Sequence, residues 1–193
     1  MAATALPVRA LTENRLHAAQ GILNQVEANA RRYSNLRLAA FLVLVAASGF
    51  ALWDNTPRGM GLVAATLALL VAVIVRHEIL LRRVVEARRR VQYWVDGLDR
   101  LENRWAGRGA SGVNFLEEHH LYAADLDLFG KGSVFELLCS ARTGLGERRL
   151  ADWLLHPTIP AVATARQQAV RELIPHHGLR EDLAMLGPDI RAY

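Results

Sequence analysis

The chain has 193 residues, 52% hydrophobic and 22% charged, with 14 Gly and 6 Pro, which excludes a disordered tail, a collagen-like repeat and an elaborate multidomain enzyme. Its single cysteine, Cys139, excludes an internal disulfide framework, and no Cys/His spacing fits a zinc finger. The formal charge of +4 is uneven: residues 1–108 hold 15 Arg against 8 acids and residues 109–193 hold 8 bases against 11 acids, which excludes a uniformly basic nucleic-acid-binding domain.

The first periodic segment carries Leu16, Ala19, Leu23, Val26, Ala30 and Tyr33 at alternating steps of three and four, the stripe of an amphipathic helix. It leads into a charge-free run of 16 residues, Leu38 to Trp53, and a second run of 17, Gly59 to Val75, follows at once. Such runs lie close to the length of about 17–25 residues that crosses a bilayer, and Arg37 and Arg76 can extend their stems along the apolar zone to lengthen the usable span. The connector Asp54 to Arg58, with Asn and Pro beside Gly59, has turn chemistry, so the pair reads as a helical hairpin. A soluble core hairpin is the competing reading, but uninterrupted apolar runs lack the polar face that a globular helix shows. A signal peptide does not fit, because the first run starts far from Met1.

Arginine placement sets the expected orientation. Arg31, Arg32 and Arg37 flank the hairpin on one side and Arg76, Arg82, Arg83, Arg88, Arg89 and Arg90 on the other, against Arg58 alone in the connector, which predicts both flanks in the cytoplasm. Neither run holds an ionisable residue, so nothing there would carry a proton or ion relay.

Downstream, Val84, Ala87, Val91, Trp94, Leu98, Leu101 and Trp105 form a second stripe. Both membrane helices are expected to continue into the cytoplasm and pair, stripe against stripe. The cluster Glu86 to Arg90 reads as a solvated face near anionic headgroups. The Gly-rich stretch Ala106 to Gly112 ends the helix and marks a boundary.

From Val113 the pattern predicts short helices. One starts at Ser133, with Glu136 at the capping-box position. Another puts Leu150, Trp153 and Leu154 on one face and stops at Pro157. A third, Ile159 to Ile174, places Val162, Ala165, Ala169, Val170 and Leu173 together and is broken by Pro175 and Gly178, and "LREDLAMLG" begins a further turn or helix.

Few residues suggest chemistry. Glu117, Glu118, His119 and His120 lack the spacing of an H-E-x-x-H metal site, Asp125 and Asp127 read as caps or turns, and His176 and His177 as solvent-exposed. Cys139 reads as a small buried residue, and Ser140 lacks a nucleophile-elbow context. No catalytic residue, cofactor site or metal site is assigned.

The stretch His120 to Ile174 resembles the beginning of the core (lever) region of MutS-type DNA mismatch repair proteins. The correspondence rests on Val134 to Leu138, then Thr143, Gly146, Arg148 and Leu150, then Trp153, Leu154 and Pro157. It continues through Arg166, Gln167, Ala169, Val170, Glu172 and Leu173 to Leu179–Leu183. The lead-in Tyr122 to Ser133, after a membrane hairpin, is most similar to the membrane-anchored MutS-related branch. The resemblance implies a dimeric ATPase that clamps DNA, with ATP and Mg bound by a C-terminal domain of a full-length parent. No G-x-x-x-x-G-K-[ST] loop occurs in this chain, since Gly130 to Ser133 lacks the upstream Gly, and membrane helices stand where the mismatch-reading domain would lie. Ending at Tyr193, partway through the expected core, the sequence looks like a fragment, a truncated product or a degenerate copy.

Thr143, Gly146, Trp153, Pro157 and Arg166 are the family-like structural positions, and Thr143, Gly146, Arg148 and Trp153 read as turn, close packing, surface ion pair and core anchor. Arg142, Arg148 and Arg149 are the candidate DNA-backbone contacts, in a net acidic segment. The expected fold class is all-α: a cytoplasmic helix over 1–37, a transmembrane hairpin over 38–75, a cytoplasmic helix over 76–105, a linker over 106–132 and a MutS-like core from 133 to 193. The expected partners are the inner membrane, a second copy of the chain in a homodimer, and DNA through the full-length protein. The rival expectation is a membrane-bound helical scaffold with no nucleic-acid role.

Overall fold

The computed structural model describes residues 2–54, 57–117 and 119–186, so Asn55 and Thr56 of the connector, Glu118 and the segment 187–193 lie outside the described residues. Among the described residues the protein is all-helical: α1 (Ala2–Asp54), α2 (Pro57–Leu101), a single 3-10 turn (Val113–Phe115), α3 (Val134–Leu138), α4 (Gly144–Leu155), α5 (Pro160–Leu173) and α6 (His177–Met185). No proline interrupts the apolar stretches, the β-branched run Val73–Val75 is carried within α2, and both long helices are long and apolar enough to span a membrane.

The chain divides into two compact units, Asn14–Val91 and the combination of Met1–Glu13 with Gln92–Tyr193. Within the first, the predicted stripe of α1 is the sheltered face: Ala19 and Ala30 are buried and Leu16, Leu23, Val26 and Tyr33 half-buried. The same register continues through the apolar run as Ala40, Leu44, Ala47 and Ala51. On α2 the sheltered positions Gly59, Val63, Thr66, Leu70, Val73, His77, Leu80, Val84, Ala87 and Val91 alternate by four and three without a break, the spacing of a coiled-coil seam. Inside the runs, Ala40, Ala47, Ala51, Gly59 and Thr66 share this seam with Leu44, Val63, Leu70 and Val73, and a Cβ at Gly59 would lie 2.9 Å from the Ala51 Cα, so backbone meets backbone there. Arg88 donates from Nη2 to Glu27 Oε1 at 2.8 Å, a second link between α1 and α2 inside this unit.

Ser48 and Thr66 donate to the carbonyls of Leu44 and Leu62 at 2.8 and 3.0 Å, so their hydroxyls need no partner from the surroundings. Away from the seam the apolar side chains face outward: Leu38, Leu42, Val45, Leu69 and Val75 are all exposed.

In the second unit, Ala123, Leu128 and Leu155 form one small core, and Phe135, Cys139 and Ala151 another, with Phe129 and Leu154 packed against both. Phe115, Phe129 and Phe135 meet with ring centroids 5.5–6.3 Å apart. Cys139 is buried, as its place in an apolar pattern predicted.

Three details differ from the sequence expectation. Helix α2 stops at Leu101 instead of reaching Trp105, because Asn103 turns into the left-handed region at φ 55°. Gly178 lies inside α6, leaving Pro175 as the breaker. The apolar face of α5 exists but is uncovered: no residue of α5 is buried, and Val170 is 60% exposed.

Candidate functional site

The most closely built polar cluster lies in the second unit, where the end of α2, the Gly-rich stretch and α3 converge. Ser133 caps α3, its hydroxyl accepting from the Glu136 N–H at 3.2 Å. The Glu136 side chain does not close the capping box on Ser133. Its Oε2 accepts from the Gly132 N–H at 2.7 Å and its Oε1 from the Gly109 N–H at 2.9 Å, 27 residues away. Glu136 is only 3% exposed. Burial pushes its carboxyl up, but the bonds from the Gly132 and Gly109 N–H groups, with the more distant Gly107 and Arg108 N–H groups also directed at it, outweigh this and hold it below the ordinary carboxylate value.

Asp99, 4% exposed, lies on the last turns of α2. Its Oδ1 accepts from Arg104 Nε at 3.1 Å, and its Oδ2 pairs with Arg108. Arg104 also pairs with Glu102, and Arg9 joins Glu102 at 2.7 Å. Arg100 donates to the carbonyls of Leu137 and Cys139 at 3.2 and 3.3 Å, near the end of α3. A cavity of about 50 Å³ remains, lined by Asp99, Arg100, Trp105, Arg108 and Glu136 among others. It is large enough for water, not for a substrate. Both carboxylates are consumed by donors that hold the loop in place, so the cluster acts as a clamp. Sequence reading gave Glu136 a local role and missed this one, although three glycines in "AGRGASG" are a signal of backbone open to an anionic acceptor.

The family-like residues fall at helix ends and on one exposed pair. Thr143 is the N-cap of α4, and its Oγ1 accepts from the Gly146 N–H at 3.1 Å. A Cβ at Gly146 would lie 3.0 Å from Ala141 Cβ, so close packing favours glycine there. Pro157 follows the C-cap His156. Trp153 does not anchor the core: α4 buries Ala151 and Leu155, while Trp153 is 46% exposed with the Arg166 guanidinium 4.3 Å from its ring centroid. Tyr122 donates to the Leu155 carbonyl at 2.6 Å and His120 Nε2 lies 3.0 Å from the same oxygen, so the lead-in closes the end of α4.

Among the candidate phosphate contacts, Arg148 and Arg149 are exposed, Arg142 is half-buried, and Arg149 pairs with Asp152 at 3.7 Å. Adjacent positions on a helix diverge by about 100°, so Arg148 and Arg149 do not form one bidentate site. Among the described residues no group of three His, Cys, Asp or Glu side chains is arranged to hold a metal ion.

Comparison with protein-family models, with curated proteins and with solved structures finds no match to this chain.

Proposed function

We propose that this chain is a membrane-anchored helical protein in which α1 and α2 form a transmembrane hairpin with both flanks in the cytoplasm, and in which the segment from 133 onward is the start of a MutS-like lever. In a full-length parent of that kind, this part would tether a dimeric, ATP-dependent DNA-binding protein to the inner membrane. The observation that carries the anchor is the outward exposure of the apolar runs: only 11% and 17% of their most hydrophobic windows are buried. A soluble core helix would hide these side chains, because exposing them to water costs about 25 cal/mol per Å². The Arg88 to Glu27 contact and the approach of Gly59 to Ala51 support the hairpin, and the arginine asymmetry supports its orientation.

The lever reading rests on the resemblance over 120–174. The caps at Ser133 and Thr143 and the boundary at Pro157 support a structural role for the matching residues. A scaffold without nucleic-acid function is favoured by one specific observation: the cations nearest the buried clamp, Arg100, Arg104 and Arg108, are spent on internal bonds.

The test reconstitutes the full chain in vesicles. Flotation that survives alkaline carbonate, with a cysteine at Arg58 labelled from one side only in a Cys139→Ser background, is the result expected for the hairpin. Protein recovered in the carbonate supernatant refutes it. DNA binding by the same vesicles that weakens steeply with salt supports the MutS-like reading, and binding absent at low salt favours the scaffold.

A further inference from the structure

At the arginine-rich end of the first unit, a groove of about 370 Å³ runs between α1 and α2, within the range of about 300–1,000 Å³ found for ligand clefts. Its lining changes character along its length. Ser34, Asn35 and Arg37 form one end, just outside the charge-free run of α1, and Leu38, Phe41, Leu70 and Ile74 continue it into the apolar runs of both helices. From Ser34 to Phe41 this gradient extends about 10 Å along the helix axis. The surface is thus polar and cationic at the water boundary and apolar below it.

Arg37 is exposed and makes no ion pair with a carboxylate among the described residues, and the same holds for Arg31, Arg32 and Arg76 near this end. The nearest acid on α2, Glu78, lies 3.9 Å from Arg82. A guanidinium without a partner, beside a hydroxyl and an amide, is suited to a phosphate oxygen, since Arg can present two parallel N–H donors. The apolar continuation then needs an occupant that is itself apolar and attached to that phosphate.

We infer that this groove is a binding site for one phospholipid with a net anionic headgroup, its phosphate on Arg37, Asn35 and Ser34 and one acyl chain along Leu38, Phe41, Leu70 and Ile74. The inference rests on the membrane reading above and adds a selective site to it. A zwitterionic lipid fits the groove less well, because its ammonium meets the same surplus of arginine. Basic pockets between membrane helices on the cytoplasmic side select anionic headgroups for this reason.

The test reconstitutes the full chain in vesicles of equal phosphatidylglycerol and phosphatidylcholine, extracts it gently and counts retained lipids by native mass spectrometry. Phosphatidylglycerol is expected to be retained over phosphatidylcholine by about fivefold, the factor that one arginine near the surface carries. Arg37→Gln should remove that preference, whereas Arg31→Gln, equal in charge but outside the groove, should keep it. Leu70→Trp fills the apolar part and should reduce retention of both lipids.

Equal retention of the two lipids overturns the proposal, as does an Arg31→Gln loss as large as that of Arg37→Gln, which would assign the effect to a diffuse basic collar. Displacement of phosphatidylglycerol by inorganic phosphate alone also overturns it, since the acyl chain would then contribute nothing. A chain that fails to float with the vesicles overturns the membrane reading and the groove together. A chain that floats but retains both lipids equally overturns the groove only.

Discussion

Replacing Glu136 with Gln tests the clamp. The carboxylate accepts two backbone N–H bonds, from Gly109 at 2.9 Å and Gly132 at 2.7 Å, in a site 3% exposed. Gln keeps the shape but offers one oxygen, so one N–H retains a neutral acceptor and the other faces an amide NH₂ group. Downgrading one charge-assisted bond costs about 1 kcal/mol and leaving one buried donor unsatisfied about 1–3 kcal/mol. Relief from burying a charge offsets part of this. The net loss is about 2–3 kcal/mol, equivalent to about 30- to 150-fold faster exchange through local opening.

Hydrogen–deuterium exchange of the full chain in detergent, resolved at the Gly109 and Gly132 amides, reads that ratio directly. The pH dependence supplies a second check. Because the folded carboxyl titrates below the ordinary glutamate value of about 4.5, its contribution is fully present above that pH and is lost as pH falls through the lower folded value. The ratio of variant to parent exchange should therefore shrink in that acid window. A ratio within about twofold at neutral pH, or one that stays constant into acid, refutes the clamp.

Three further outcomes follow from the same contacts. Gly112→Ala forces a side chain onto a backbone at φ 65° with its Cβ 2.6 Å from Phe135 Cδ1, and should lower unfolding stability by about 2–4 kcal/mol in a urea titration followed by near-ultraviolet circular dichroism. Thr143→Ala removes the α4 cap and should cost about 1 kcal/mol in the same titration, with Thr143→Ser restoring most of it. Gly59→Ala places a methyl 2.9 Å from the Ala51 Cα and should shift unfolding of the long helices in an SDS titration to lower detergent by an amount equivalent to about 1–3 kcal/mol, while Gly61→Ala, with open space around it, should not.

The stripes outside the apolar runs were legible because polar residues separate their apolar positions, as between Leu16 and Tyr33. The seam is harder to read within the runs, where almost every position is apolar and hydrophobicity cannot say which face meets another helix. Size does not mark it either: Ala40, Ala47, Ala51, Gly59 and Thr66 are sheltered, but so are Leu44, Leu70 and Val73, while Ala39, Ala46, Ala64, Ala65, Ala68 and Ala72 are exposed, so only the packed pair selects the face. Trp153 was misplaced for a related reason. Helical periodicity puts it near Leu150 and Leu154, but the buried arc centres on Ala151 and Leu155 with Leu150 and Leu154 at its edge, and Arg166 from the next helix covers the indole instead.

What the sequence alone determined is local. Charge-free runs dictate two long helices, Ser133 and Thr143 start helices because their hydroxyls lie within reach of N–H groups three residues on, and Pro175 breaks the chain before α6. The tertiary structure decided which carboxylate holds the Gly-rich stretch, where α2 ends and which polar residues share a groove with Leu70 and Ile74. Those outcomes depend on groups distant in sequence arriving within hydrogen-bond or van der Waals range, and that convergence is fixed only when the chain packs.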